Sequence, residues 1–392
     1  MTGVLVIGSG GAGLAAAIAA HDAGADVTLA TKLGVASCNT AKAQGGIQAA
    51  LGADDDVETH FEDVMRSSHD TADPVLARTL TEHGPAAIAW LEELGVGFTR
   101  EGDGSLRVAR CGGATRRRLL QVGDQTGLAI AGALRAAVGE RSIEVLDHAP
   151  LVELEAGRAV LERGGERTEL RPGAIVLAAG GRCKRVAAEL GELSTNGDGA
   201  TGEVGELAVA AGCAERDGDS LQRHPTGAAW PEPMAGYAVP ETTRAYGALL
   251  VNAAGERFVD ELAPRDVVAE AIIRECAEGR GLTTPDGRPA VHLDCRPVEP
   301  ADAETSFPYM LRRYRKAGID PLAEPIPVYP VLHYQNGGLV IDADGATTVP
   351  GLWAAGEITG GVHGRNRMMG NSLLDVCVFG RRAGAAAAAA IA

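Results

Sequence analysis

The first thirty residues constrain this chain more than any other stretch. Val4-Leu5-Val6-Ile7 is a continuous aliphatic run, the pattern of a central parallel strand buried on both faces. It passes directly into Gly8-Ser9-Gly10-Gly11-Ala12-Gly13, and an alanine-rich helical stretch follows to about Ala23. Gly24-Ala25-Asp26 turns the chain into a second apolar run, Val27 to Ala30. Strand, G-x-G-x-x-G turn, helix and strand make a βαβ unit with the glycines at its first turn. Gly8 makes the tight turn, Gly10 lets backbone approach a pyrophosphate, and Gly13 allows helix to pack closely on strand. The helix N-terminus offers free N–H groups and a partial positive charge to phosphates. The segment therefore reads as a dinucleotide site floored by Gly8, Ser9, Gly10, Gly11, Ala12 and Gly13. An acid normally ends the second strand and holds the ribose, but that slot is Thr31-Lys32. Either a hydroxyl does the work or the ribose is held differently.

Composition narrows the function classes. Glycine numbers 53 of 392 residues, about twice the ~7% norm, without a collagen period. Backbone must approach something closely at many places. A net charge of −16 argues against nucleic acid or an anionic membrane surface as partner. The apolar opening Val4 to Ala20 is broken by glycines and lacks a basic leader, so it does not read as a signal peptide. No uninterrupted apolar run of about 18 residues suggests a transmembrane helix. Seven scattered cysteines, none in a C-x-x-C pair, suggest no metal or cluster site and fit reduced thiols in a cytoplasm.

Further along, Leu151–Leu154, Arg158–Leu161 and Thr168–Leu170 alternate as a β-meander. Ala174 to Leu177 is another buried strand, ending in Ala178-Ala179-Gly180-Gly181. A third occupies Val349 to Ala355, before Gly356-Glu357, and a last helix runs from about Ser372 to Ala392. The stretch 219–335 holds 14 of the 19 prolines and few long buried-strand patterns, which marks an inserted domain. The expected division is 1–218, 219–335 and 336–392.

Together these segments resemble the flavoprotein family of fumarate reductase, succinate dehydrogenase and L-aspartate oxidase. The resemblance rests on Ala43-Gln44-Gly45-Gly46-Ile47, Gln222-Arg223-His224-Pro225-Thr226, Glu241-Thr242-Thr243-Arg244 and Ala263-Pro264-Arg265-Asp266. His333-Tyr334-Gln335-Asn336-Gly337-Gly338, His363-Gly364-Arg365-Asn366-Arg367 and Asn371-Ser372-Leu373-Leu374 complete it, in the family's order. It implies an α/β fold: a Rossmann-like FAD-binding domain with a β-meander, and an inserted α+β capping domain. Family members usually continue into a C-terminal helical domain, which is not expected here.

The resemblance assigns the dinucleotide as FAD, with Thr31, Lys32, Asn39, Thr40, Gln44, Gly45, Gly46, Ala179, Gly180, Asp198, Gly356, Glu357, Ser372 and Leu373 on the cofactor side. Glu357 would grip hydroxyls of the ribityl or ribose. Ser372-Leu373 would open a helix whose amides face the flavin's N1–C2=O edge. Asn39 stands where membrane-bound members carry the histidine that binds FAD covalently, so non-covalent FAD is implied, leaning toward substrate reduction.

The implied chemistry joins a dianion to a hydride carrier. His224, His333 and Arg367 would hold the carboxylates of a C4 acid such as fumarate, arginine giving bidentate charged bonds. Arg265 would be the proton donor, oriented by Gln222, with Glu241 and Arg244 at i and i+3 passing protons inward. A guanidinium, with a pKa above ~12 in water, donates only where crowding and dehydration favour its neutral form. Read alone, Arg265-Asp266 is a surface ion pair, Glu241 with Arg244 a solvated helix pair, His224 a core turn residue and His333 a loop residue.

Two departures bear on substrate. L-Aspartate oxidase carries a glutamate for the substrate amine in its Glu-Gly-Gly segment, and here that position is Cys111. Pro240 replaces the threonine before the relay glutamate. The order of expectation is a fumarate/succinate-type enzyme, then L-aspartate oxidase, then an enzyme on a larger enoate, then a non-catalytic FAD subunit. An external electron carrier or an iron–sulfur subunit is implied as partner.

Overall fold

The computed structural model describes residues 3–392. The opening unit forms strand Val4–Ile7, helix Gly11–Asp22 and strand Val27–Ala30, with every residue of both strands buried. Gly8 takes φ 112°, and a Cβ on Gly13 would overlap the Gly8 carbonyl, so helix and turn approach as only glycine permits. Five parallel strands follow the order Leu352–Ala354, Ala174–Leu177, Val4–Ile7, Val27–Ala30, Ile143–Leu146. From the central first strand the chain builds outward in one direction, then returns to build in the other. The crevice beyond the strand ends at such a reversal is where open α/β sheets bind ligands. The closing helix, Asn371–Ala389, packs along the first; a Cβ on Gly380 would lie 2.7 Å from the Ala12 carbonyl oxygen.

The meander forms from Leu151–Glu155, Arg158–Arg163 and Glu166–Leu170, all antiparallel. A second antiparallel sheet has the order Leu221–Ala228, Ile326–Gln335, Pro289–Asp294, Leu249–Val251. It carries its own core, with Val291, Leu293, Phe307 and Tyr314 fully buried, and helix Arg265–Ala277 against it. Here the expectation of few long strands fails, for Ile326–Gln335 has ten residues and Leu221–Ala228 eight. Prolines 225, 327 and 330 disguise them. Pro225 is tolerated because its strand is at the sheet edge, in a register break between His224 and Gly227.

The glycine excess is divided between two uses. A Cβ on Gly337 or Gly338 would overlap backbone of Asp217 or Ile358, so these glycines serve close packing of chain on chain. Among the described residues, no helix is long and apolar enough to cross a membrane. All seven cysteines are free, and no three His, Cys, Asp or Glu residues are placed to hold a metal among the described residues.

Candidate active site

A cavity of about 1480 Å³ opens at the strand ends, above the ~300–1,000 Å³ of a drug-sized ligand pocket. Gly8, Ser9, Gly10, Gly11 and Ala12 form its floor, with Thr31, Lys32, Asn39, Thr40, Gln44, Ala179, Gly180 and Asp198 around it and Glu357, Ser372 and Leu373 at its inner end. Four residues expected on the cofactor side do not reach this wall. Gly13 packs on Gly8, Gly45 on Met369, Gly46 on Leu119 and Leu120, and Gly356 on Ala12. Their lack of a Cβ serves the approach of one protein segment to another.

Both helices aimed at the cavity begin at a glycine, Gly10 and Gly370, with no side chain capping them. Their first amides are thus left for a ligand. At the second strand end, Ser9 Oγ donates to Thr31 Oγ1 at 3.0 Å, while Lys32 Nζ reaches Glu203 at 3.1 Å. Asp198 pairs with Lys184 at 3.3 Å and is 91% exposed along its side chain, so it stands at the rim. Glu357, half-buried, accepts from Gln335 N at 3.0 Å, and burial raises its carboxyl to about 7.

Behind the inner end lies a charged cluster. Arg265 opens its helix, an unfavourable place for a cation beside the positive end of the helix dipole. Its Nε donates to Glu241 Oε2 at 2.9 Å and its Nη1 to Gln222 Oε1 at 3.1 Å. Glu241 precedes the short helix Thr242–Ala245, which brings Arg244 Nη2 to 3.4 Å from the same Oε2. Gly112 N donates to Glu241 Oε1 at 2.9 Å. Arg367 Nη2 donates to Gln222 Oε1 at 3.2 Å, and its guanidinium lies 4.2 Å over the Tyr334 ring. Glu241, Arg244, Arg265 and Arg367 are all under 10% exposed, so neither carboxylate nor arginines form the surface pairs that their bare sequence allowed. Asp266 turns away from Arg265, toward His69 and Asn366.

The two histidines sit on neighbouring strands, ring centroids 5.1 Å apart. The register runs from Gln222–Tyr334 to Arg223–Leu332, which leaves His333 as the extra residue of a bulge, its side chain re-aimed into the cavity wall. Thr195 Oγ1 lies 2.7 Å from His333 Nδ1 and Asn196 Nδ2 donates to the His333 carbonyl at 2.7 Å, leaving Nε2 for a ligand. Burial, then the charge of Arg265, holds both imidazoles well below the ordinary histidine pKa, so both are neutral. Burial and Arg265 likewise lower Arg367 to about 10, and burial lowers Arg244. For Glu241, burial works against the charge, but Arg265 and Arg244 hold the carboxyl at about 2. His224 Nδ1, Arg244 Nε and Arg367 Nε are buried without protein partners.

The FAD binding domain family matches residues 3–373. A CoM/CoB-type fumarate reductase flavoprotein from Methanothermobacter marburgensis is 38% identical over 98% of this chain and 72% of its own length. An L-aspartate oxidase from Streptomyces coelicolor is 38% identical over 99% of this chain and 68% of its own. The chain belongs to this family of FAD-dependent oxidoreductases. An E. coli quinol fumarate reductase shares its structure with a TM-score of 0.92 at 31% identity, over all of this chain and 70% of that one. The cavity fits FAD on its own evidence: a glycine floor no Cβ could enter, two uncapped helix starts, and a carboxylate at the inner wall. Sequence reasoning left Thr195, Asn196, Tyr334 and Gly112 without roles, although each touches a site residue. Their only signal was adjacency to a motif, and for Thr195 and Asn196 there was none.

Proposed function

We propose that this protein interconverts fumarate and succinate, or a closely related C4 dicarboxylate pair, on non-covalently held FAD. The observation that carries this reading is a buried cluster of three guanidinium groups around one carboxylate, with unpartnered donors and two neutral histidines beside it. A dianion is the ligand that balances such a cluster. When bound, FAD supplies hydride transfer at its N5 position. His224, His333 and Arg367 hold the two carboxylates by charged and neutral hydrogen bonds. Arg265 delivers or takes the proton at the alkene carbon, and Glu241 and Arg244 relay it. Gln222 fixes Arg265.

Asn39 supports the non-covalent state, since its carboxamide is engaged by Asn196 at 2.6 Å and Gly197 at 2.9 Å and lacks a nucleophilic nitrogen. We read 1–218 and 336–392 as the FAD-binding domain and 219–335 as the cap over it, consistent with the separate core there. A cytoplasmic location belongs to the same reading, as does a partner that is either an external electron carrier or an iron–sulfur subunit.

L-Aspartate oxidation is the second reading, favoured by the name of the Streptomyces relative. Against it, Cys111 is buried, and burial pushes its thiol far up, so the group is neutral. A substrate ammonium would meet no free carboxylate there, at a cost of several kcal/mol. The test is a flavin-spectrum screen: fumarate reoxidises the dithionite-reduced enzyme and succinate slowly bleaches the oxidised one. Bleaching by L-aspartate, with fumarate inert, would reverse the order of the two readings.

A further inference from the structure

A continuous run of hydrogen bonds leads from the arginine pair to the surface. Gln222 Oε1 accepts from Arg265 Nη1 at 3.1 Å and from Arg367 Nη2 at 3.2 Å. Gln222 Nε2 donates to Asn366 Oδ1 at 2.9 Å and to the Arg367 carbonyl at 2.8 Å. Asn366 Nδ2 in turn donates to Asp266 Oδ1 and to the Ser67 carbonyl, both at 2.8 Å. Asp266 Oδ2 meets His69 Nε2 at 2.6 Å on an exposed residue whose φ of 56° is uncommon for a side chain with a Cβ.

The ends of this run dictate its middle. Arginine only donates, an ionised carboxylate only accepts, and each amide can do both. With Asp266 as an acceptor, Asn366 must present its NH2 there and its oxygen to Gln222. Gln222 must then present its NH2 to Asn366 and its oxygen to both arginines. The reverse orientation would aim NH2 groups at two guanidinium ions. Both amide NH2 groups have both hydrogens used, so no rotation is free. A neutral amide at position 222 also joins the two arginines without cancelling the charge of either.

We propose that Asp266 and Asn366 are positioning residues, which set the polarity of the Gln222 amide and thereby the spacing of Arg265 and Arg367. This rests on the dicarboxylate reading for its kinetic consequences, though not for its geometry. Because the run ends on the proton-transfer arginine and on the carboxylate-binding arginine together, its loss touches both kcat and KM.

The test compares wild type, Asp266→Asn and Asp266→Glu as FAD-loaded full-length enzymes, with a reduced dye and fumarate, and with crystal structures of each. D266N is expected to lose about tenfold in kcat/KM, split between a lower kcat and a higher KM. D266E restores an acceptor-only end and recovers most of that loss, and the D266N crystal shows a turned amide or a wider Arg265–Arg367 gap. Wild-type kinetics in D266N, or equal losses in D266N and D266E, would overturn the proposal. A wild type that turns over no C4 acid sinks the dicarboxylate reading instead. The crystals then decide alone, and unchanged amides and arginines in D266N overturn the positioning role.

Discussion

Arg118 and Arg367 are both buried arginines, 0% and 2% exposed, in opposite circumstances. Arg118 spends its Nε and Nη2 on Asp55 at 2.8 and 2.7 Å and its Nη1 on Asp63 at 2.6 Å. Asp63 is closed further by Thr115 N at 2.8 Å. Burial opposes the charge of Arg118, yet Asp55 and Asp63 carry its pKa above the ordinary value. Arg367 has no carboxylate in hydrogen-bond contact, keeps Nε unpartnered, and sits near Arg265, which with burial brings it down to about 10. One cluster contains its own counter-charge and closes. The other leaves charge over, and a fold retains such an arrangement when a ligand completes it.

The contrast makes separable predictions. Arg118→Met breaks the closed cluster and leaves two buried carboxylates facing nothing. It should cost about 3–5 kcal/mol of stability, read as a lower denaturation midpoint, while kcat of the folded fraction stays near wild type. A large kcat loss at unchanged stability would erase the distinction between the clusters.

Glu241→Gln sharpens the other side. With a folded pKa of about 2 against 4.5 for the free carboxyl, ionised Glu241 contributes stability that is fully present above pH 4.5. That contribution is lost as pH falls through 2, because the depressed folded value means the unfolded state takes up the proton first. Thermal midpoints measured from pH 5 down to pH 2 should therefore fall less steeply in Glu241→Gln than in wild type. Parallel slopes would mean that Arg265 and Arg244 do not hold the carboxylate in the folded state.

Legibility in the sequence followed the kind of force involved. The βαβ opening was readable because both of its strands are buried on both faces and its glycines answer to local geometry. The meander was readable from alternation. The strands bearing His224 and His333 were not, since prolines at 225, 327 and 330 contradict strand chemistry until an edge and a bulge excuse them. Glycine misled in one respect. Gly45, Gly46 and Gly356 lie beside the cavity in sequence, but the neighbour that excludes their Cβ is protein. The motif residues were legible as a set, whereas Thr195, Asn196 and the Asp266–Asn366 run depend on contacts between segments far apart along the chain.

The most direct measurement is stopped-flow reoxidation of dithionite-reduced flavin by fumarate in wild type and Arg265→Ala, with FAD content determined in both. FAD content should be equal, since Arg265 lies outside the cavity wall. Wild-type reoxidation should saturate with fumarate, and Arg265→Ala should slow the saturated rate by about 10²–10⁴, the range for loss of a general acid. Equal saturated rates in the two proteins would contradict the account.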